Sequence, residues 1–330
     1  MRGVFLHNSV VPARMVKIQD ACVPEGVKLI RLEGLDHDEA MEKIKALGGK
    51  DFYLAGDFDI TDKLMSVSPF LKLVQLIGVG YDAIDVEAAT KRGIPVGITP
   101  GANSVAVAEH TVMFGLSLAK NVINAHNSMA SGEWKQWDFR PDSFELLNKT
   151  WGIVGFGRIG QEVARRASAF GMEILYYDVI RPDRGREEDL GATFVPLEEL
   201  LRRSDVVSVH VSFSEKTRHM FKREQFELMK KSAVFINTSR GKLVLETDLY
   251  DALSKGILAG AGLDVFYDEP LPADNPLRKL SNVVLTPHMA GGSRDTATRV
   301  FTWCFDNVVR IKKGEKPINV VNPAVLEKRS

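Results

Sequence analysis

The segment that decides the fold lies near the middle of the chain and reads Trp151-Gly152-Ile153-Val154-Gly155-Phe156-Gly157-Arg158-Ile159-Gly160. An apolar, strand-like run leads into the pattern G-x-G-x-x-G, and a helix-like run follows it. Gly155 permits the tight turn from strand to helix, Gly157 lets the backbone approach a pyrophosphate, and Gly160 allows close packing of helix on strand. The first helical turn, with Arg158 and Ile159, offers unpaired N–H groups and the positive end of the helix dipole. The segment therefore predicts a dinucleotide site.

An acidic residue further along indicates which dinucleotide binds. The strand-like run 173–177 is followed directly by Asp178, about twenty residues after the glycine pattern. A carboxylate in this position accepts hydrogen bonds from the adenosine ribose hydroxyls and repels a 2′-phosphate. The sequence therefore predicts NAD rather than NADP as the cofactor, a preference that the nearby Arg181 weakens a little.

Strands and helices alternate regularly from residue 151 onward. The predicted strands are 152–155, 173–177, 206–210, 233–237, 260–263 and 283–286. Six strands with helices between them match a doubly wound domain of the Rossmann type. The helix after the glycine pattern has an apolar face that includes Phe170, and Gly171 is expected to end it. A last helix, 294–312, precedes a polar tail.

The first hundred residues show the same alternation and predict a second α/β domain. Strand-like runs 3–6, 27–31, 52–55, 73–77 and 95–98 alternate with amphipathic stretches such as 38–47 and 86–92. Strand, helix and strand in repetition indicate a parallel sheet covered by helices. The segment Thr99-Pro100-Gly101 then interrupts the pattern.

A long apolar segment and an aromatic arm connect the two series. Residues 103–130 are rich in alanine, valine, methionine and leucine and predict one long helix, capped by Asn103 or Ser104 and ended by Gly132. Because this helix is apolar around nearly its whole circumference, we expect it to be buried at an interface between domains or subunits. Residues 131–150 are predicted to form an irregular arm.

Charge and composition argue against several classes of protein. Lys+Arg and Asp+Glu both number 43 in the 330 residues, and a protein that binds nucleic acid or a membrane surface usually has a basic excess. No apolar run approaches the roughly 20 residues that a membrane helix needs, and the N-terminal apolar run is too short for a signal peptide. Cys22 and Cys304 lack metal-ligand spacing, so we expect no metal site, no disulfide and a cytoplasmic location.

Three candidate catalytic residues, Arg240, Glu269 and His288, each follow a predicted strand. Ligands of doubly wound sheets bind at the carboxyl ends of the strands. A guanidinium can hold the carboxylate and polarise the carbonyl of a 2-keto acid, and a histidine can give the proton that the carbonyl oxygen needs as hydride arrives. A carboxylate beside the imidazole raises its pKa and orients it. Each residue alone is also compatible with a structural role, but together they predict hydride transfer to a small 2-keto acid.

With these residues in place, the chain resembles the D-isomer-specific 2-hydroxyacid dehydrogenases, a family that includes phosphoglycerate, glyoxylate/hydroxypyruvate and D-lactate dehydrogenases. The motifs that carry the resemblance are Ile77-Gly78-Val79-Gly80-Tyr81-Asp82, Thr99-Pro100-Gly101, Ala108-Glu109-His110, the glycine pattern, Asn237-Thr238-Ser239-Arg240-Gly241, Gly262-Leu263-Asp264-Val265 and Thr286-Pro287-His288. The resemblance implies Arg240, Glu269 and His288 as the catalytic set, in agreement with the chemistry above.

The resemblance also implies binding residues. The backbone of Gly78, Val79 and Gly80 is implied to hold the substrate carboxylate, and consecutive N–H groups in a glycine-rich turn do form a small anion nest. An ordinary strand-ending turn is the alternative. The cofactor residues implied are Thr238 and Asp264 at the nicotinamide carboxamide and His210 and Thr217 along the pocket wall.

The family fold implies a discontinuous, flavodoxin-like substrate domain, residues 1–101 and 290–330, into which the NAD-binding Rossmann domain 102–289 is inserted. The active site is then expected in the cleft between the domains, where closure expels water. The helix and arm of residues 103–150 resemble the family's dimer-forming element and imply a homodimer. One hypothesis places Trp134 and Trp137 in the neighbouring subunit's cleft, and packing within the arm or interface is the alternative.

Two departures from the family patterns reduce the number of substrates that the resemblance allows. Leu76 stands where phosphoglycerate members often carry arginine, and Glu269 stands where formate dehydrogenases carry glutamine. The resemblance therefore favours glyoxylate or hydroxypyruvate, with D-3-phosphoglycerate dehydrogenase as the alternative enzyme and phosphite as another substrate that only an assay excludes. An alternative of another class is an NAD(H)-sensing, corepressor-like scaffold, which would bind NADH but turn over no keto acid.

Overall fold

The computed structural model describes residues 1–329 and divides the chain into two compact units. The first unit contains Met1–Asn103 and the residues from Gly292 onward, and the second contains Ser104–Gly291. The second unit is therefore inserted into the first along the chain. Each unit is built on a parallel sheet with helices, which confirms the predicted fold class.

The first unit contains a five-stranded parallel sheet with the order β2-β1-β3-β4-β5. Its strands are β1 Arg2–His7, β2 Lys28–Glu33, β3 Phe52–Ala55, β4 Leu73–Leu76 and β5 Val96–Gly97. Its helices are α1 Ala13–Asp20, α2 His37–Ala46, α3 Asp62–Ser66, α4 Val86–Lys91 and, after the insertion, α12 Arg294–Lys312. This strand order is that of a flavodoxin-like doubly wound sheet.

Apolar side chains cover both faces of this sheet. Val4, Leu6, Tyr53 and Val74 belong to one buried cluster, and the alternate strand residues belong to another that α12 completes with residues such as Phe301. Burial on both faces explains why the strands read as continuous apolar runs. Polar residues begin several helices, as when the Asp36 side chain accepts a hydrogen bond from the Glu39 amide at α2 and Ser293 caps α12.

The second unit contains a seven-stranded parallel sheet with the order β12-β11-β10-β9-β6-β7-β8. The strands are β6 Thr150–Val154, β7 Glu173–Tyr177, β8 Ala192–Phe194, β9 Val206–Val209, β10 Val234–Asn237, β11 Gly260–Leu263 and β12 Val283–Leu285. The helices are α5 Ser104–Ala119, α6 Val122–Ala130, α7 Arg158–Ser168, α8 Arg184–Leu190, α9 Leu197–Arg203, α10 Arg223–Leu228 and α11 Glu246–Ser254. The order reverses beside β6, as in a Rossmann domain, so that ligand-binding turns follow β6 and β9.

The single helix predicted over 103–130 is wrong, because two helices occupy that segment. α5 ends at Ala119 and α6 begins at Val122, with Asn121 between them in the left-handed region at φ 52°. Asparagine tolerates this conformation better than most residues. Because the apolar pattern continues through the break, its periodicity did not reveal the turn.

Three smaller predictions also need correction. The sheet of the second unit has seven strands rather than six, because the short β8 follows the left-handed Gly191 and pairs with β7. Phe170 is 41% exposed and does not belong to the buried face of α7. The predicted polar tail is partly bound, since the Asn322 side chain accepts from the Val96 amide and donates to the Ile94 carbonyl, and Val325 is buried.

The helices within residues 1–329 do not have the length and hydropathy that a membrane span requires, since none is both long enough and apolar enough to cross a bilayer.

Candidate active site

A histidine and a carboxylate form the centre of the candidate site. His288 follows β12, and its Nδ1 donates to Oε2 of Glu269 across 2.6 Å. The other carboxylate oxygen, Oε1, accepts from the Phe266 amide at 2.9 Å, so both oxygens of Glu269 are engaged. The His288 side chain is 45% exposed, and its Nε2 has no hydrogen-bond partner among residues 1–329. Nε2 is therefore the nitrogen at which a proton can be exchanged with a ligand.

The two groups shift each other's pKa in opposite directions. The hydrogen bond and charge of Glu269 raise the pKa of His288 above its ordinary value, although burial and the charge of Arg240 oppose them. Burial alone would raise the pKa of Glu269, but the hydrogen bond and charge of His288, the hydrogen bond from the Phe266 amide and the charge of Arg240 together lower it. The pair therefore favours an imidazolium beside a carboxylate, which is a proton donor held ready at Nε2.

Asp264 holds the backbone that carries His288. Its carboxylate is 1% exposed and accepts from the Met289 amide at 2.9 Å, the Ala290 amide at 2.8 Å and the Thr286 hydroxyl. The Asp264 carbonyl accepts from the His288 amide at 2.8 Å. His288 itself lies in the left-handed region at φ 49°, a conformation that costs free energy and persists only where its surroundings impose it. These four hydrogen bonds to Asp264 impose it.

His110 of α5 extends this network. Its Nε2 lies 2.9 Å from the Thr286 hydroxyl, which itself donates to Asp264, so Nε2 carries the proton of the neutral ring. Burial lowers the pKa of His110, against a smaller opposing effect of Asp264. The ring also packs edge-on against Phe114. His110 therefore supports the loop at Thr286 and stays neutral.

A glycine brings Arg240 to the same edge of the sheet. A Cβ on Gly241 would lie 1.9 Å from the backbone of Phe266, so only glycine allows this approach to the segment that leads to Glu269. The Asn237 side chain donates to the Arg240 carbonyl at 2.9 Å and accepts from the Ser239 amide at 3.0 Å, which fixes the turn after β10. The Arg240 Nη1 donates to the Ser239 carbonyl at 2.7 Å. The structure thus brings Arg240, Glu269 and His288 together.

The glycine pattern forms the turn from β6 into α7. Gly155 has φ 95°, and a Cβ there would lie 2.7 Å from the backbone of His210, whereas a Cβ on Gly160 would lie 2.2 Å from the Gly155 oxygen. Both glycines are required by the packing of the turn. A Cβ on Gly157 would meet no described atom within 4 Å. Arg158 and Ile159 begin α7, and within the described chain no side chain caps this helix. Its first N–H groups therefore face open space and fit a pyrophosphate.

Asp178 and Arg181 bear on the choice between NAD and NADP. The Asp178 carboxylate accepts from the Phe156 amide at 2.6 Å and from the Ile180 amide at 3.0 Å, which places it beside the glycine turn. Arg181 is paired with Glu187 at 2.8 Å and stacks over Phe194. The arginine that could favour a 2′-phosphate is therefore engaged elsewhere, and the carboxylate faces the nucleotide turn.

A buried nitrogen of His210 also fits a cofactor. Trp151 Nε1 can only donate, and it donates to the Ser208 hydroxyl at 2.9 Å. That hydroxyl can then donate to Nε2 of His210, 3.0 Å away, which leaves the proton of the ring on Nδ1. Burial lowers the pKa of His210 to about 3, so the ring is neutral. Nδ1 is buried and finds no acceptor in the described residues, an arrangement that a bound ligand oxygen would satisfy.

Comparison with known proteins decides the family. The model of the D-isomer specific 2-hydroxyacid dehydrogenase, NAD binding domain, matches residues 112–290. The chain belongs to this family. It is accordingly an NAD-dependent oxidoreductase, and its second unit contains the NAD-binding domain.

Individual members of the dehydrogenase family are similar over most of the chain. A glyoxylate reductase from Korarchaeum cryptofilum is 46% identical over 272 residues, which cover 82% of each protein. A D-3-phosphoglycerate dehydrogenase from Methanocaldococcus jannaschii is 41% identical over 88% of this chain but only 54% of its own length. The solved structure of D-lactate dehydrogenase from Aquifex aeolicus with NAD and lactic acid has a TM-score of 0.83 and 31% identity, covering 97% of this chain and 99% of that one.

The contacts of the other predicted binding residues of this dehydrogenase do not reveal which ligand they hold. Gly78, Val79 and Gly80 form a half-buried turn after β4 in the first unit, where Gly78 accepts from the Thr99 amide at 2.9 Å. In the second unit, the buried Thr238 hydroxyl lies 3.0 Å from that of Thr111, and the Thr217 hydroxyl is bound within its own turn to Ser212 and Ser214. Neither hydroxyl is brought to the His288 pair, and all these assignments stay predictions.

The residues that support His288 are not evident from the sequence. Asp264 is predicted to contact the cofactor, and in the structure its carboxylate also accepts three hydrogen bonds from the loop of His288. Thr286 and His110 lie within motifs of the family resemblance, which assign them no role. The one available signal was a polar residue, Thr286, at the end of an apolar strand. Within the described residues, 1–329, no group of three or more His, Cys, Asp or Glu side chains is suited to a metal ion.

We expect Glu269→Gln to shift the pH dependence of keto-acid reduction toward lower pH. Reduction uses protonated His288, so activity is lost as pH rises through the pKa of that residue. Glu269 raises this pKa, while burial and Arg240 lower it. Removing the carboxylate charge should therefore move the alkaline limb of kcat/KM to lower pH. The measurement is kcat/KM for reduction from pH 5 to pH 10.

Glu246→Gln is the matched control for this prediction. The Glu246 carboxylate accepts from the Tyr267 amide and from Asn275, and neither contact involves His288. The control should keep the wild-type profile. An unshifted profile in Glu269→Gln would show that the carboxylate does not set the proton affinity of His288.

Proposed function

We propose that this dehydrogenase reduces a small, unphosphorylated 2-keto acid, glyoxylate or hydroxypyruvate, to the 2-hydroxy acid with NADH. The observation that carries the proposal is the 2.6 Å contact between His288 and Glu269 beside Arg240 at the carboxyl edge of the Rossmann sheet. Relatives named glyoxylate reductase, 40–46% identical over most of the chain, support the same substrate class.

His288 is assigned the proton transfer. When bound, the reduced nicotinamide supplies the hydride that C2 of the keto acid accepts. His288 Nε2 gives its proton to the carbonyl oxygen as negative charge develops there, and the Glu269 carboxylate stabilises the imidazolium and fixes the ring through Nδ1. In the reverse direction, neutral Nε2 takes the proton from the 2-hydroxyl group.

Arg240 and the turn at residues 78–80 are assigned the substrate carboxylate. The guanidinium of Arg240 can donate two parallel hydrogen bonds to a carboxylate and can also polarise the neighbouring carbonyl. Gly78, Val79 and Gly80 offer consecutive backbone N–H groups, and the space beside Gly78 is open because a Cβ there would meet no described atom within 4 Å. Held at its carboxylate, the keto acid presents C2 in one orientation.

The cofactor is assigned to the turn after β6. The N–H groups at Gly157, Arg158 and Ile159 would hold the pyrophosphate, and Asp178 would accept from the adenosine ribose. The open space at Gly157 and the partnerless Nδ1 of His210 support this placement. Thr217, Thr238 and Asp264 are proposed as further contacts of the pocket.

The experiment that tests the proposal follows NADH oxidation by the purified protein. The panel comprises glyoxylate, hydroxypyruvate, phosphohydroxypyruvate, pyruvate and bulkier 2-keto acids. Turnover of an unphosphorylated keto acid supports the proposal, whereas a strong preference for phosphohydroxypyruvate would favour D-3-phosphoglycerate dehydrogenase. NADH binding without turnover of any of these acids would reject the reductase and favour the scaffold.

We also propose that a second copy of the chain covers α5 and α6. Val105, Met113, Val122, Ile123 and Met129 are each 40–55% exposed on these helices, and the arm exposes Trp134 and Trp137 by 76% and 69%. Met113 and Val122 line a surface cavity of about 790 Å³ within this unit. Single chains rarely expose apolar surface of this extent.

We expect Met113→Glu with Val122→Glu to convert a dimer into a monomer, because the two charges would be buried without partners at the interface. The measurement is the molar mass by light scattering after size exclusion. Phe70→Glu, at a residue 73% exposed in the other unit, is the control that should stay dimeric. A wild-type protein that is monomeric at micromolar concentration would reject the interface.

A further inference from the structure

The sheet of the first unit has its own ligand-binding position. Its order, β2-β1-β3-β4-β5, reverses direction between β1 and β3. In doubly wound sheets, ligands bind outside the carboxyl ends of the strands at this reversal. His7 is the last residue of β1, and Gly56 directly follows β3. His7 and Gly56 therefore lie where the order of the strands predicts that a ligand binds to this unit.

The imidazole of His7 occupies the space beside Gly56. A Cβ on Gly56 would lie 2.5 Å from Cδ2 and 3.3 Å from Nε2 of His7, and 3.3 Å from Cδ1 of Ile77. The ring thus fills the place where a side chain at residue 56 would stand. Ile77 directly precedes the turn Gly78-Val79-Gly80, which is the proposed carboxylate site. His7 is half-buried and lies at the same edge of the sheet as that turn.

The hydrogen bonds of His7 indicate which ring nitrogen carries the proton. The Ser9 amide donates to Nδ1 at 3.0 Å, so Nδ1 is an acceptor in the neutral ring and Nε2 carries the N–H. In a protonated ring, Nδ1 can instead donate to the Ser9 carbonyl, 3.1 Å away, and Nε2 again carries a proton. Nε2 has no partner within residues 1–329. His7 therefore presents a hydrogen-bond donor at this edge.

The charge of this edge disfavours an additional anionic group on the ligand. The turns after β1, β3, β4 and β5, residues 8–12, 56–61, 77–85 and 98–103, contain no lysine or arginine. They contain four aspartates, Asp57, Asp59, Asp82 and Asp85. Recognition of a phosphate usually needs arginine or lysine. Arg299 of α12 also reaches this edge, where its Nε donates to the Ala102 carbonyl at 2.6 Å. The edge therefore carries four carboxylates and at least one guanidinium, and it suits a neutral polar substituent better than a second anionic group.

We propose that His7 is a specificity-determining residue, whose Nε2–H donates to a hydroxyl on C3 of the substrate. The preferred substrates are then 3-hydroxy-2-keto acids that carry no charge beyond their carboxylate, of which hydroxypyruvate is the smallest. This inference rests on the proposed function, since it requires the substrate carboxylate to lie on the turn of residues 78–80. Gly56 contributes by leaving room for the imidazole, and the Ile77 side chain borders the same space.

The test compares kcat/KM for hydroxypyruvate, pyruvate and glyoxylate in the wild type, His7→Phe and His7→Gln. Pyruvate has the C3 carbon without the hydroxyl, and glyoxylate lacks C3. The wild type should prefer hydroxypyruvate to pyruvate by about tenfold, as one neutral hydrogen bond allows. His7→Phe keeps a planar ring but no donor, so this ratio should fall by about tenfold. His7→Gln retains an N–H donor and should keep more of the ratio than His7→Phe.

The possible results distinguish a failure of the role proposed for His7 from a failure of the proposed keto-acid reduction. Equal losses for all three acids in His7→Phe would overturn the inference in favour of a structural role, and thermal unfolding of each variant would report such a role. A wild type that reduces pyruvate or glyoxylate as well as hydroxypyruvate would overturn the inference alone. A wild type that reduces none of these acids would overturn the proposed function as well. Efficient use of phosphohydroxypyruvate would contradict the assignment of a neutral substituent.

Discussion

His288→Asn is expected to lower kcat for keto-acid reduction by about 10²–10⁴-fold while NADH binding is retained. His288 adopts a left-handed backbone conformation at φ 49°, which asparagine tolerates better than alanine, so the substitution removes the imidazole with little change in the loop. Asparagine cannot deliver a proton near neutral pH. The loss should therefore appear in kcat, and the remaining activity should no longer fall as the pH rises through the His288 pKa.

A second variant separates proton transfer from the effect of leaving a carboxylate unpaired. In His288→Asn the Glu269 carboxylate, on a side chain that is only 28% exposed, loses its partner at 2.6 Å, which can itself destabilise the site. Adding Glu269→Gln removes that charge. If proton transfer is the lost function, the double variant stays as slow as His288→Asn. Recovery of kcat toward the wild type would assign the loss to the unpaired carboxylate and reject His288 as the proton donor.

The strands of both sheets could be predicted well from local pattern. Phe52–Ala55, Glu173–Tyr177 and Gly260–Leu263 have the predicted bounds, because each is a short apolar run between turn residues and is buried on both faces. The last long helix, Arg294–Lys312, also has its predicted bounds, since Ser293 caps it and Gly314 follows it. Local chemistry determines these boundaries.

Other elements depend on contacts that local pattern does not contain. Asn121 interrupts an apolar helical stretch that continues on both sides of it, and only its backbone conformation reveals the break. β8 is three residues long and exists because it pairs with the edge of β7. The chain after α12 returns to the first sheet through Asn322, a side chain whose partners lie more than 220 residues earlier. Such elements are specified by tertiary partners.

The candidate site likewise combines residues that local sequence predicts with an arrangement that depends on tertiary contacts. Arg240, Glu269 and His288 could be predicted as catalytic residues because each follows a strand and suits hydride transfer to a keto acid. Their arrangement could not be predicted, since the contact between Glu269 and His288 joins turns that are 19 residues apart in sequence. The role of Asp264 was hidden because a carboxylate after a strand suits a cofactor contact and a loop anchor equally well. The position of His7 beside Gly56 could not be predicted either, since it depends on the order of the strands in the sheet.

Arg240→Lys is expected to lower kcat/KM for the keto acid by roughly 10–10²-fold, chiefly through a higher KM, because a hydrogen bond to the substrate carboxylate is lost. Lysine keeps the positive charge but lacks the planar pair of N–H donors that matches a carboxylate. The turn that carries residue 240 is fixed independently of the side chain, through the Asn237 amide and the close approach of Gly241 to Phe266. The measurement is steady-state reduction at several keto-acid concentrations, with NADH binding measured separately.

The charge of Arg240 has a second effect that a neutral variant isolates. It lowers the pKa of His288, so Arg240→Met should raise that pKa and move the alkaline limb of reduction to higher pH, whereas Arg240→Lys should leave the limb in place. Lys242→Met, which removes a positive charge from an exposed neighbour in the same turn, should change neither KM nor the profile. If Arg240→Lys retained the wild-type KM, charge alone would suffice and the bidentate contact would be rejected. If Arg240→Met left the pH profile unchanged, Arg240 would act on the substrate without setting the proton affinity of His288.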